Sequence, residues 1–192
     1  PAYDSMINFV ANAGRFCQAA FIIKSSCYVH ENRNRLVKAF LEADEKLDFD
    51  YAFWIDSDMV FTWQQAEQLL KFMLEQNADI GTGVYYSFVQ GGKPGPVIIQ
   101  KKEDDSWETI PASELKEPML VDGAGFGFVA MKPKVLKEMM EKKGEHVFGF
   151  RFSKKGKMIG EDNLFFEEAK QLGYELWVVP QVRVGHAKTV IV

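Results

Sequence analysis

Apolar residues recur along the chain with two alternating rhythms. At residues 5–16, 32–43 and 63–76 they fall at helical spacing, and in the third stretch Ala66, Leu69, Leu70, Met73 and Leu74 make one stripe. Between these lie short apolar runs at residues 20–25, 51–55 and 79–86, which predict strands. A loop-rich excursion at residues 90–118 interrupts the alternation, with Gly91-Gly92, Pro94-Gly95-Pro96 and Glu103-Asp104-Asp105 clustered in it. The pattern then resumes with a glycine-broken strand around 126–131, a helix begun by Pro133, a helix over 162–172 and a strand over 176–179. Helices between strands predict an α/β fold with a mostly parallel sheet, residues 1–192 forming one domain. In such sheets ligands bind in the crevice at the carboxyl ends of the strands, so polar groups just past a strand are the first candidates for chemistry.

Composition narrows the partners. Of 192 residues, 47% are hydrophobic and 14% aromatic, enough for one sizeable core. Lys and Arg number 23 against 27 Asp and Glu, and a net charge of -4 disfavours a nucleic-acid partner. No apolar run approaches the roughly 20 residues that cross a bilayer, and no secretory signal is visible. Cys17 and Cys27 are too few for a disulfide framework and lack zinc-ligand spacing, which reads as reduced thiols in a cytosolic protein.

The sharpest chemical signal is Asp56-Ser57-Asp58. It follows Tyr51-Ala52-Phe53-Trp54-Ile55, a continuous apolar run of the kind found in strands buried on both faces. In an extended chain residues two apart point the same way, so both acids are expected to approach one hard divalent cation. An Asp-x-Asp pair alone also occurs in turns and helix caps; its place directly after a buried strand gives it weight.

In that setting four stretches, in this order, resemble the GT-A glycosyltransferases, particularly the inverting enzymes related to family 2. They are Pro1-Ala2-Tyr3-Asp4, Glu31-Asn32-Arg33-Asn34-Arg35-Leu36-Val37, Trp54-Ile55-Asp56-Ser57-Asp58-Met59-Val60-Phe61 and Gly160-Glu161-Asp162-Asn163. The family has a complete apolar strand before the first of these, which this sequence, beginning at Pro1, does not include. The resemblance implies a GT-A (Rossmann-like) fold and transfer of a sugar from a nucleoside diphosphate, UDP before GDP, to a glycan or other acceptor hydroxyl. It places Ala2, Tyr3, Asp4, Arg33 and Arg35 at the nucleotide, with Asp56 and Ser57 beside the donor. Arginines at a helix start can pair with phosphate oxygens; the competing reading pairs them with Glu31 or with Asp44-Glu45. By the same resemblance the metal is held by Asp56, Asp58 and the late His186, and Asp162 is the catalytic base with Glu161 supporting it. Oxygen-rich ligation with one imidazole favours Mn2+ over Mg2+, and both over zinc.

The segment Asp122-Gly123-Ala124-Gly125-Phe126-Gly127 resembles the family's glycine-bearing loop beside the sugar, so Gly123, Ala124 and Gly125 are placed with the donor. Glycine permits such close approach, and a bulged strand explains it equally well. Tyr85, Tyr86, Trp107 and Phe126 are candidates for stacking on sugar rings, or else core. Two other readings stand beside transfer. One is a haloacid-dehalogenase-like phosphatase with Asp56 as nucleophile, although Met59 and Val60 fit its motif poorly. The other is a sugar- or nucleotide-binding module without turnover.

Overall fold

The computed structural model describes residues 2–24, 28–88, 93–103, 106–153 and 156–187. The chain opens with α1 (Ala2–Ala13) and α2 (Val29–Leu47), then β1 (Ala52–Ile55), β2 (Met59–Val60), α3 (Trp63–Glu75) and β3 (Ile80–Val84). The excursion holds β4 (Tyr86–Phe88), β5 (Pro94–Pro96), β6 (Ile98–Lys101) and β7 (Trp107–Thr109), and leads to β8 (Met119–Val121) and β9 (Gly123–Ala124). There follow β10 (Phe128–Met131), α4 (Pro133–Lys143), β11 (Arg151–Phe152), β12 (Met158–Ile159), α5 (Glu161–Gln171), β13 (Leu176–Arg183) and β14 (Gly185–His186).

The helix boundaries have local causes. Gln65 accepts from the backbone N–H of Thr62 at 2.7 Å across the start of α3, which supplies a partner that the helix cannot. Pro133 opens α4, where its missing N–H costs nothing. Asp48 ends α2 in the left-handed region at φ 50°, its N–H returning to the Asp44 carbonyl.

The central sheet runs β1-β10-β3-β13-β8. It is mostly antiparallel, which corrects the mostly parallel sheet expected from helix–strand alternation. Only β3 and β13 run parallel, while β10 lies antiparallel between β1 and β3 and β8 antiparallel beside β13. The reason is the excursion: after it, β10 re-enters the sheet from the same carboxyl end at which β3 left it, and so runs back. Residues 20–24, expected as strand, form none, and Ser25 lies outside the described residues. Phe21, Ile22 and Ile23 stay exposed, Phe21 standing edge-on to Phe9.

Side chains of the sheet alternate between two cores. Ala52, Trp54, Val129 and Met131 face the cluster built with Val37, Leu136, Met139, Phe165 and Phe166, whereas Phe53, Ile55, Phe128 and Ala130 face the one built with Phe9, Leu69 and Met73. A strand covered on both sides must be apolar at every position, which accounts for the unbroken run before Asp56. Because β1, β3 and β13 point the same way, their carboxyl ends share one edge. The start of β10 lies there too, Phe128 pairing with Ile55.

α2 is pinned to that edge through Asn34. Its amide donates to the Phe148 carbonyl at 2.9 Å and accepts the Phe148 N–H at 2.7 Å. Asn34→Ala removes both partners of a half-buried backbone segment, and we expect a loss of about 1–3 kcal/mol in urea unfolding with an unchanged m value. A variant as stable as the parent shows that the segment is held elsewhere.

Candidate active site

Where β1 ends, the chain turns at once. The Asp56 N–H donates to the Gly127 carbonyl at 3.0 Å and the Asp56 carbonyl accepts from Met59 at 3.1 Å, closing a four-residue turn with Ser57 and Asp58 at its corner. The two acids are therefore not on an extended chain, as the sequence reading supposed, and they point at different partners. β2 pairs antiparallel with β14, setting His186 opposite Met59. This ribbon, closed by Ala187 N–H to Asp58 carbonyl at 2.8 Å, puts His186 Nε2 at 2.9 Å from Asp58 Oδ2. His186 rests edge-on against Tyr85, ring centres 5.3 Å apart.

Asp56 belongs to a second group centred on Arg33, whose side chain is only 6% exposed. The guanidinium lies over the rings of Phe126 and Phe148, at 4.9 and 5.7 Å. Its Nη2 donates to Asp56 Oδ2 at 3.3 Å, and its Nη1 to Glu161 Oε1 at 3.3 Å and to Asp162 Oδ1. Asp162 Oδ2 also accepts the Phe126 N–H at 3.2 Å. Glu161 and Asp162 form the first turn of α5, where free N–H groups and the helix dipole favour acids.

Burial dominates the electrostatics of Asp162 and Asp56. It lifts Asp162 from its ordinary value to about 6, with the charge of Glu161 adding and Arg33 and the Phe126 N–H opposing. Asp56 is raised for the same first reason, with Asp58 adding and Arg33 opposing. On Arg33 burial works against the charge, but Asp162, Asp56 and Glu161 together outweigh it and raise its pKa. One buried cation thus faces three carboxylates, with the Asp58 carboxylate beside them. The edge carries an excess of negative charge.

The glycine segment serves packing. Gly123 and Ala124 form β9 against β6, and the Gly125 N–H donates to Val97 at 2.9 Å. A side chain at Gly125 would overlap the Tyr85 phenol, and the Gly127 N–H donates to the Tyr85 oxygen at 3.3 Å. These glycines let Tyr85 reach beneath His186. Burial pushes the Tyr85 hydroxyl pKa up, so it stays a neutral phenol. Tyr85 and Phe126, candidates for stacking on a sugar, are buried at 7% and 0% exposure and are core side chains instead.

The other expected residues lie on α1, on α2 and in the Asp56–Asp58 turn. Arg35 makes an exposed i,i+4 pair with Glu31 at 2.5 Å; two residues along a helix rotate by roughly 200°, so it cannot share Arg33's face. Ala2, Tyr3 and Asp4 occupy the first turn of α1. The next residue, Ser5, accepts the Phe61 N–H at 3.0 Å, just beyond β2. Ser57 is exposed at the turn corner. Cys17 is half-buried with its thiol on the Ala13 carbonyl, and Cys27 lies outside the described residues. The roles of Phe148 and Tyr85 in supporting Arg33 and His186 carry no sequence signal. Among the described residues no group of three or more His, Cys, Asp or Glu gathers as a metal site, and no helix is long and apolar enough to cross a membrane.

No family model and no curated protein sequence matches the chain. Solved structures do. A197 from STIV is 20% identical over 96% of this chain and 79% of its own, with a TM-score of 0.61. GalNAc-T7, a GT-A glycosyltransferase solved with UDP, GalNAc and Mn2+, is 15% identical over 81% of this chain, TM-score 0.51. The fold is GT-A-like. The chain spans 31% of the GalNAc-T7 length, and at these identities the likeness is one of fold.

Arg33→Met tests the hub. Asp162's pKa in the fold lies above its unfolded value, so its contribution to stability is complete below the unfolded value, near 4, and is lost as pH rises through about 6. Without the guanidinium the folded carboxyls hold protons to still higher pH. We expect the variant to lose about 3–5 kcal/mol at pH 7.5 and much less at pH 5, read by urea unfolding at both. An equal loss at both pH values removes the carboxylates from the explanation.

Proposed function

We propose that this chain is a metal-dependent glycosyltransferase that moves a sugar from a nucleoside diphosphate, UDP favoured, to an acceptor hydroxyl with inversion. The observation that carries this reading is the meeting, at one sheet edge, of the Asp56-Ser57-Asp58 turn, His186 and the carboxyl of Asp162. The GalNAc-T7 likeness, a protein solved with UDP and Mn2+, supports it.

Asp58 and His186 are the residues that would hold the cation. They face each other at 2.9 Å, and His186 Nδ1 is buried with no hydrogen-bond partner among the described residues. A metal on Nε2 would take the place of its hydrogen bond with Asp58, the ring proton then sitting on Nδ1. Two side-chain ligands fit a Mn2+ or Mg2+ that completes its shell with substrate phosphates and water. Asp56, whose Oδ2 faces Arg33, would act on the bound cation through charge alone. When bound, such a cation neutralises the charge that develops on the departing diphosphate. It also answers a physical need, since an edge with excess carboxylate repels a bare diphosphate.

Asp162 has the features of the general base. Its side chain is 28% exposed, so an acceptor can reach it, and its raised pKa keeps it a better proton acceptor than a solvated aspartate. Its partners Arg33 and the Phe126 N–H hold the carboxylate in one orientation. It would take the proton of the acceptor hydroxyl as that oxygen attacks the anomeric carbon and the nucleoside diphosphate leaves. The phosphatase alternative needs Asp56 as a nucleophile, and its engagement by Arg33 weighs against that.

Three outcomes test the reading. UDP with Mn2+ should raise the melting temperature more than either alone; Asp58→Ala should abolish that synergy and His186→Ala should reduce it. Retained synergy in both variants rejects the cation site. Transfer, measured as kcat against pH, should rise through about pH 6 as Asp162 ionises. Asp162→Asn should lower kcat by roughly 100-fold or more while UDP and Mn2+ binding stays near the parent value, and joint loss of binding and transfer would make Asp162 a ligand rather than a base.

A further inference from the structure

Two of the residues first considered for sugar stacking, Tyr85 and Phe126, are core, and a different set of large apolar side chains lies exposed next to the Arg33 cluster. Phe150, Phe152 and Met158 are 55%, 65% and 59% exposed. Phe152 and Met158 are cross-strand partners in the β11–β12 hairpin, so they share its outer face. Their neighbours, Arg151 and Ile159, pair on the other face. That face is anchored: Arg151 grips both carboxylate oxygens of Glu167 on α5 at 2.6 and 2.7 Å, and Ile159 is 7% exposed. The hairpin is held in one orientation, with its apolar face outward.

Both ends of the hairpin run into the candidate site. Three residues before it, the Phe148 ring sits beside the Arg33 guanidinium, and Gly160-Glu161-Asp162 follow it directly. Phe150 meets His30 edge-on at 5.9 Å, and His30 meets Tyr28 at 6.1 Å. The aromatic ledge therefore continues from the hairpin to the start of α2, one helical turn from Arg33.

We propose that this ledge is the acceptor subsite and that it takes a neutral glycan, whose ring faces stack on Phe150 and Phe152 while a hydroxyl reaches Asp162. The proposal rests on the transferase reading above. Aromatic faces suit the C–H face of a sugar ring and leave its hydroxyls free at the edges. The charge of the site selects neutrality: one guanidinium against three carboxylates repels an acceptor that brings a phosphate or carboxylate of its own. A ledge continuous with the proton acceptor is where the body of the acceptor must lie.

The test measures binding, not turnover. Cellotetraose, chitotetraose, maltotetraose and mannotetraose are titrated against the full chain by saturation-transfer NMR, with UDP and Mn2+ followed by thermal shift on the same preparations. We expect at least one tetrasaccharide to bind, and Phe150→Ala/Phe152→Ala to weaken it by about tenfold or more with melting temperature and UDP–Mn2+ response unchanged. Failure of all four to bind the parent chain, or equal binding by the double variant, overturns the subsite. So does a ledge whose substitution only abolishes adsorption to phosphatidylglycerol vesicles or self-association. Glycan binding that depends on the ledge, in a chain that ignores UDP and Mn2+, keeps the subsite and defeats the transferase reading instead.

Discussion

A guanidinium buried to 6% exposure cannot stand alone, and the arrangement of this molecule's chemical edge follows from that. Arg33 comes from α2, Asp56 from the end of β1, and Glu161 and Asp162 from the first turn of α5. None of these carboxylates would gather so closely without the cation, and the cation would not be buried without them. Phe126 and Phe148 wall the guanidinium off from water and strengthen its pull on the carboxylates. The same dryness is what lifts Asp162 toward neutral pH. Structure and proton chemistry have one cause.

The sheet delivers these groups to one place by an antiparallel insertion. β10 runs back between β1 and β3, so its glycine-bearing start lies beside the ends of both. There Gly127 accepts the Asp56 N–H on its carbonyl and donates its own N–H to Tyr85, joining the acidic turn to the floor under His186. The β2–β14 ribbon then folds His186 onto Asp58. What results is two groups on one edge, a fixed ion cluster and a lighter Asp58–His186 pair.

The two groups differ in how readily they change partners. Arg33 is enclosed by rings and several acceptors, whereas Asp58 is 48% exposed and holds His186 through a single contact. A cation exchanging with one hydrogen bond at an open pair costs far less rearrangement than one entering the Arg33 cluster. The exposed hairpin face is the third part, anchored through Arg151 and Glu167 yet open to solvent.

The sequence by itself determined the elements whose causes are local. Helical stripes, Pro133, and the apolar run of β1 gave most helices and the central strands, because period and covering are written residue by residue. Asp56 and Asp58 stood out because they directly follow a buried apolar run, and Asp162, Glu161 and His186 because they match the order of a family's motifs. Tertiary structure alone decided the rest. Strand direction depended on the end from which the chain re-entered after the excursion, and residues 20–24 form no strand although their local pattern predicts one. That Asp56 answers to Arg33 and Asp58 to His186 was set by a turn hydrogen bond and a distant ribbon. Tyr85 and Phe126 became core while Phe150 and Phe152 remained exposed, since an aromatic residue's role depends on what packs over it, and those packing partners lie far away along the chain.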